Sequence, residues 1–275
     1  MMRLTFILAA ALSLSTSALA PEATRAFENV KGDVYRFQND FHYSLVVATS
    51  EGTVVVDPIN ADAATWLKEN LAQITDQPVT HLIYSHSHGD HASGGAVLQA
   101  PNVIAHTAAP ETIDGVAPTE RFADTKVIEI GGKTLELTHL GPGHGEDMIA
   151  VVVRPENVAF IVDVASPDRL PYQDFGGASI DDYIAQIAKA ETLDFEIFAP
   201  GHGRIGTPEE VAENRVYVET LRAGVLEGLK AGKSVEAITA ELTLDDYKDW
   251  QQYADWRPMN IAGVADYLTK NGLVE

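Results

Sequence analysis

The short apolar run Val79-Thr80-His81-Leu82-Ile83-Tyr84 opens directly into Ser85-His86-Ser87-His88-Gly89-Asp90-His91. The run reads as a buried strand, so the histidine-rich stretch occupies the loop leaving it. Four metal-capable side chains, His86, His88, Asp90 and His91, fall within six positions. No other feature constrains the chain as much. In extended chain alternate residues point the same way, so His86 and His88 can grip one ion together. Gly89 permits a tight turn that swings Asp90 and His91 toward a second ion beside the first. Neutral imidazoles with one carboxylate suit Zn²⁺, with iron or manganese as alternatives. The plainer reading, a polar surface loop rich in His, leaves the downstream histidines without a purpose.

His86-Ser87-His88-Gly89-Asp90-His91 contains the His-x-His-x-Asp-His signature of the metallo-β-lactamase superfamily. The chain resembles that family at three further stations in order: Gly141-Pro142-Gly143-His144, Phe160-Ile161-Val162-Asp163 and Ala199-Pro200-Gly201-His202-Gly203. The likeness runs from about Val34 to Gly203 and implies an α/β fold, an αββα sandwich whose metal loops gather at one edge of two sheets. A catalytic zinc keeps three protein ligands and a position for water; His144, in a turn after the strand Leu135 to Leu140, fits as the third partner of His86 and His88. Asp90, His91 and His202 then hold the second ion. Asp163 ends an apolar strand, where a lone carboxylate is expensive; in family members with Asp here it bridges two cations. Two ions roughly 3.5–4 Å apart share one hydroxide whose pKa falls toward ~7. Asp90 is the candidate catalytic residue, orienting that nucleophile. Asp57, beside Pro58, is either a turn-former or, as the family implies, support for a metal-binding His from behind.

Other side chains carry weaker signals. His42 and Tyr43 begin a strand near where family substrate loops lie, and are candidate substrate contacts. Tyr172 and Phe175, in the Pro- and Gly-bearing stretch after Asp163, are either an apolar substrate wall or plain surface loop. His81, His106 and His139 lie in strand runs and read as structural.

The remaining pattern supports two sheets face to face with helices outside. Val34–Gln38, Ser44–Ser50 and Thr53–Asp57 read as strands, with Ser50-Glu51-Gly52 as a hairpin turn. Ala61–Ile74 reads as a helix, and His91–Leu98 as another with Asp90 capping its first turn. Asn102–His106 is a strand, and Thr107–Asp124 is expected as loop. Lys126–Ile130, Lys133–Leu140, Met148–Arg154, Asn157–Asp163 and Phe195–Pro200 complete the strands, with a helix from Ser179 to about Leu193 between the last two. Thr207-Pro208-Glu209-Glu210 starts a long helix. Ser234 and Thr243 open shorter ones, and Asn260–Thr269 closes the chain. Residues 206–275 are therefore expected as a helical extension of one domain covering residues 21–275.

Arg3, the apolar run from Leu4 to Leu14 and the small-residue exit Ala18-Leu19-Ala20 read as a secretory signal peptide over residues 1–20. The run is too short to span a bilayer, so a secreted or periplasmic location is expected. Pro21 hinders cleavage directly after Ala20, so the cut is expected a few residues away. Cysteine is absent, which leaves thiolate ligands and disulfides out of the account. The net charge of −21 repels phosphodiester backbones, so the expected partner is a small molecule, with no nucleic acid and no evident protein partner.

The superfamily implies several chemistries. A hydrolase of esters, lactones or thioesters is the leading reading, with the hydroxide attacking a carbonyl-type carbon. β-Lactam hydrolysis stands second: cysteine-type β-lactamases carry a metal-binding Cys and a substrate-gripping Lys three residues on, where this chain has Asp163 and Ser166, whereas another β-lactamase branch keeps His at the position of His91. An iron-dependent persulfide oxygenase comes from another class. Flavin-linked diiron reductases place Glu where this chain has His88.

Overall fold

The computed structural model describes residues 23–275, so the expected leader over residues 1–20 lies outside the described residues. Two sheets stack face to face with helices on both outer surfaces, the αββα sandwich, and helices close the C-terminal segment. The first sheet begins with an antiparallel meander: β1 (Arg25–Lys31), β2 (Val34–Asn39), β3 (His42–Thr49) and β4 (Gly52–Val56). Helix α1 (Ala61–Asn70) crosses over to β5 (Val79–Ile83), which pairs parallel with β4. The short helices α2 (Gly89–Ala92) and α3 (Gly95–Leu98) lead to β6 (Asn102–His106) and β7 (Glu120–Phe122), both added in parallel. In the second sheet β8 (Thr125–Ile130), β9 (Lys133–His139), β10 (Ile149–Arg154) and β11 (Val158–Ile161) run antiparallel. Helix α4 (Ile180–Glu191) then crosses to β12 (Ile197–Pro200), parallel to β11. Helices α5 (Pro208–Lys230), α6 (Val235–Glu241) and α7 (Tyr253–Lys270) follow.

Period-two patterning explains why the sheets stack. In β10, Ile149, Val151 and Val153 join Val54, Val56 and Leu45 in the layer between the sheets. Their neighbours Ala150 and Val152 face outward against Ile187, Val218 and Leu221 of α4 and α5. On the other surface, Val46, Val55 and Leu82 pack against Ala63, Ala64 and Leu67 of α1. Each fully buried Val, Leu or Ile contributes about 2 kcal/mol by leaving water, so strands buried on both faces hold three apolar layers together. Asn60 caps α1 by accepting from the Ala63 N–H at 2.9 Å. Thr207 donates its N–H to Glu210 at 2.9 Å, with Pro208 as the first residue of α5.

Some expectations change. The helix expected over His91–Leu98 is broken into α2 and α3 at Ser93-Gly94, where Gly94 takes φ +80° and a Cβ would lie 2.4 Å from the Ala61 backbone N. Asp90 does not cap it. His88 holds that place without a side-chain bond, and Asp90 sits inside the first turn of α2 with its carboxylate turned toward His42. Strand β1 escaped the sequence pattern because an edge strand alternates charged residues with few apolar ones. The expected loop Thr107–Asp124 contains β7. The last helix starts at Tyr253 instead of Asn260 and accommodates Pro258.

Candidate metal centre

The topology carries the histidine-rich loop and its partners to one edge. β4, β5, β9, β11 and β12 all point their C-terminal ends there, and β3, antiparallel to β4, starts there. His86 and His88 leave β5; Asp90 and His91 lie on α2; His144 lies in the loop after β9; Asp163 follows β11 and His202 follows β12. Their ligand atoms form two groups. His86, His88, His144 and Asp163 offer atoms within 4.8 Å of one another, and so do His42, Asp90, His91 and His202. The expected set of seven is therefore brought together, joined by His42.

Asp163 stands between the groups. Its Oδ2 lies 3.4 Å from His86 Nε2 and 3.3 Å from both His91 Nε2 and His144 Nε2, while its Oδ1 lies 3.1 Å from His202 Nε2. His88 Nδ1 meets His144 Nε2 at 2.9 Å, and His91 Nε2 meets His202 Nε2 at 3.1 Å. His86 Nε2 is buried without a hydrogen-bond partner. Nitrogens that converge in this way, one of them an orphan acceptor, fit a divalent cation in each group.

The backs of the rings are held. Asp57 is fully buried and takes φ +65° at the end of β4. It accepts from the Ser85 N–H at 2.7 Å and the Ser85 hydroxyl at 2.6 Å, and that Oγ lies 2.9 Å from His86 Nδ1. His91 Nδ1 lies 3.9 Å from Asp57 Oδ2. Asp57 thus stands behind both clusters, in contact with Ser85 on one side and His91 on the other. His202 Nδ1 donates to the Phe41 carbonyl at 2.8 Å, which leaves Nε2 for the centre. From α4, Gln186 accepts from the His144 N–H at 2.9 Å and donates to the Gly141 carbonyl at 2.6 Å. A Cβ on Gly143 would fall 2.6 Å from Gln186 Oε1, so that turn needs glycine. The Tyr183 hydroxyl, one turn earlier, donates to the Asp163 carbonyl at 2.9 Å.

Burial and charge tune these groups in opposite directions. Burial pushes the His86 imidazole down to about 4, keeping it neutral. Burial also opposes protonation of His91, but the carboxylates of Asp163, Asp57 and Asp90 reverse this and raise it to about 9. Burial pushes Asp57 up to about 7 against the pull of His91 and Ser85. Asp163 is buried too, yet the ring of histidines led by His91 holds its carboxyl well below the usual range. Its contact with His42 lowers the Asp90 carboxyl. The arrangement can therefore neutralise and orient cations at a sheet edge.

A cavity of about 940 Å³ opens over this centre. His42, Tyr172 and Phe175 line it, and so do Arg169 and Trp256. Tyr172 is exposed and meets Trp256 edge to face at 5.3 Å, whereas Phe175 is buried against Tyr183. Tyr43 does not line the cavity. Successive strand residues face opposite ways, so where His42 points in, Tyr43 carries the Arg36 guanidinium 3.9 Å over its ring. Arg169, 5.0 Å over the Trp256 ring, and Gln186 carry no sequence signal of their own; only the fold brings them here. His106 and His139 stack at 3.6 Å away from the clusters, and each donates to a backbone carbonyl, the structural use expected of them.

Fold and centre together define an α/β enzyme scaffold with histidine and aspartate groups for metal at one sheet edge. The chain belongs to the metallo-β-lactamase superfamily, whose sequence model matches residues 38–202. It is 26% identical over 229 residues to the 2,4-dinitroanisole O-demethylase subunit alpha of Nocardioides sp. (strain JS1661), covering 78% of this chain and 69% of that protein. It is 29% identical over 188 residues to the metallo-beta-lactamase type 2 of Bacteroides fragilis, covering 63% of this chain and 73% of that one. Among solved structures, the inverting sec-alkylsulfatase Pisa1 from Pseudomonas sp. superposes with a TM-score of 0.75 at 15% identity, over 89% of this chain and 50% of that one. That likeness speaks for the fold.

Proposed function

We propose that the protein is an exported hydrolase that cleaves an ester, lactone, thioester or related acyl bond in a small molecule, using two divalent ions with zinc as the first choice. The observation that carries the reading is Asp163, which reaches histidines of both groups from one carboxylate. Ions held there supply a water-derived nucleophile at neutral pH and polarise a carbonyl oxygen. His86, His88 and His144 would hold one ion; Asp90, His91 and His202 would hold the other, with Asp163 between them. Asp57 fixes the ring of His86 through Ser85, and Phe41 fixes that of His202. Tyr172 and Trp256 offer apolar walls to the acyl portion, and the Arg169 guanidinium faces the same cavity. Export rests on the basic start and apolar core of residues 1–20, and among the described residues no helix is long and apolar enough to cross a membrane.

Elemental analysis of purified protein, followed by a panel of esters, lactones, thioesters and β-lactams, tests the reading. Turnover of an acyl substrate that stops on chelation and returns with Zn²⁺ is expected. Predominant iron with oxygen uptake would replace it with the oxygenase reading. The Bacteroides relative keeps β-lactams as the second reading, and the Nocardioides relative adds 2,4-dinitroanisole to the panel.

A further inference from the structure

His42 begins β3 directly after the exposed Phe41, and its side chain is only 16% exposed. Two backbone ties fix this corner against the loop that carries His202. The Tyr43 N–H donates to the Gly201 carbonyl at 2.9 Å, and the Phe41 carbonyl accepts from His202 Nδ1 at 2.8 Å. The imidazole of His42 is thereby held 4.7 Å from the His202 ring and 5.4 Å from the His91 ring, centroid to centroid. Its Nε2 lies 3.5 Å from Asp90 Oδ2, too long for a good hydrogen bond. All four residues offer ligand atoms within 4.8 Å of one another. Although His42 lines the cavity, it brings a ring nitrogen within 4.8 Å of the ligand atoms of Asp90, His91 and His202.

We propose that His42 is a ligand of the second metal ion, beside Asp90, His91 and His202. This rests on the two-ion reading above. With Asp163 counted for both ions, the first would have four protein groups, His86, His88, His144 and Asp163, and the second would have five. The ions are then unequal, the second being held by the larger set, and the β2–β3 turn becomes part of the metal centre.

The test titrates metal-free protein with Zn²⁺ against a chromophoric chelator, and with Co²⁺ followed by its visible absorption. The wild type, His42→Ala and His42→Gln are compared. Glutamine keeps a hydrogen-bonding group for Asp90 but replaces the imidazole. The expected result is that both variants bind the first ion as the wild type does and bind the second at least ~100-fold more weakly, beyond the ~10–100-fold typical of losing an outer partner. Their bound Co²⁺ should absorb more strongly, as its coordination number falls. Second-ion affinity within threefold of wild type in His42→Gln would overturn the proposal and leave His42 as a partner of Asp90 only. A wild type that takes up a single ion would overturn it as well, by removing the two-ion reading itself. Neither readout depends on which substrate is turned over, and thermal melts of the three proteins show whether each is folded.

Discussion

Asn260 gives the sharpest test of how the C-terminal helices serve the centre. It is fully buried on α7 and makes three bonds. Its amide donates to the Pro171 carbonyl at 3.0 Å and to the Gln173 carbonyl, and its oxygen accepts from the Tyr217 hydroxyl at 2.7 Å. Asn260→Ala therefore strands two carbonyls and a hydroxyl. Each buried polar group left without a partner costs ~1–3 kcal/mol. The carbonyls lie beside the cavity and regain water in part, so the total comes to about 3 kcal/mol. For a domain of this size 1 kcal/mol is worth roughly 2–4 °C, and the melting temperature should fall by ~6–12 °C. The loop released is the one that places Tyr172 and Phe175, so KM should rise more than kcat falls, while metal content stays at the wild-type level. Tyr217→Phe, which removes one of the three bonds, should cost ~1 kcal/mol and leave KM alone. A melting temperature within 2 °C of wild type for Asn260→Ala, with unchanged KM, would show that the loop is held by other contacts.

Other expectations concern metal, packing and export. Two ions should bind per chain, and Asp163→Ala should abolish two-metal loading and lower kcat by more than His202→Ala, because two dications lose their shared anion and repel by on the order of 15 kcal/mol even at an effective dielectric near 20; elemental analysis of the variants and their kinetics check this. Gly95→Ala should destabilise by ~1–3 kcal/mol, since the added Cβ would lie 2.0 Å from the Tyr84 hydroxyl oxygen, on a side chain that is 1% exposed; a denaturant melt unchanged from wild type would count against it. The mature protein from its native host should lack about its first 20 residues, which N-terminal sequencing reads directly; an uncleaved chain in the cytoplasm would rule export out.

The strands that carry the centre were legible because their chemistry is local. Val79–Ile83 and Val158–Ile161 are apolar runs ending at potential ligands, and the loop between them and the next element has a spacing that a single chain displays. What stayed hidden depends on contacts distant in sequence. Gln186 acts on His144 across 42 positions, and Asn260 acts on Pro171 across 89, so neither looks like a site residue in its own neighbourhood. His42 was visible as a histidine at a strand start, but its approach to Asp90 depends on the pairing of β3 with β4 and on the Gly201 tie. Tyr43 lies off the cavity because its side depends on strand register, which one residue reverses.

Both carboxylates at the heart of the centre are held under strain, and this bears on how the protein keeps its metal. Asp57 takes φ +65° and Asp163 φ +56°, left-handed conformations that cost of order 1–3 kcal/mol each at a non-glycine residue. Asp57 is fully buried and the Asp163 side chain is 9% exposed, so each also gives up solvation. The histidines offset this for Asp163, whose carboxyl they hold well below its usual range, but not for Asp57, which burial still raises to about 7. His86 is kept neutral by its burial and brings no charge to Asp163. Cations in both groups would supply the missing charge, so folding and loading should be linked: an ion at 100 times its dissociation constant adds about 2.7 kcal/mol to the folded state. Chelation of both ions, about 5.4 kcal/mol together at that concentration, should therefore lower the melting temperature by roughly 10–20 °C, and Zn²⁺ should restore it in proportion to the logarithm of its concentration. A melting temperature that stays put while the metal is stripped would mean that the fold carries the strain of both aspartates unaided.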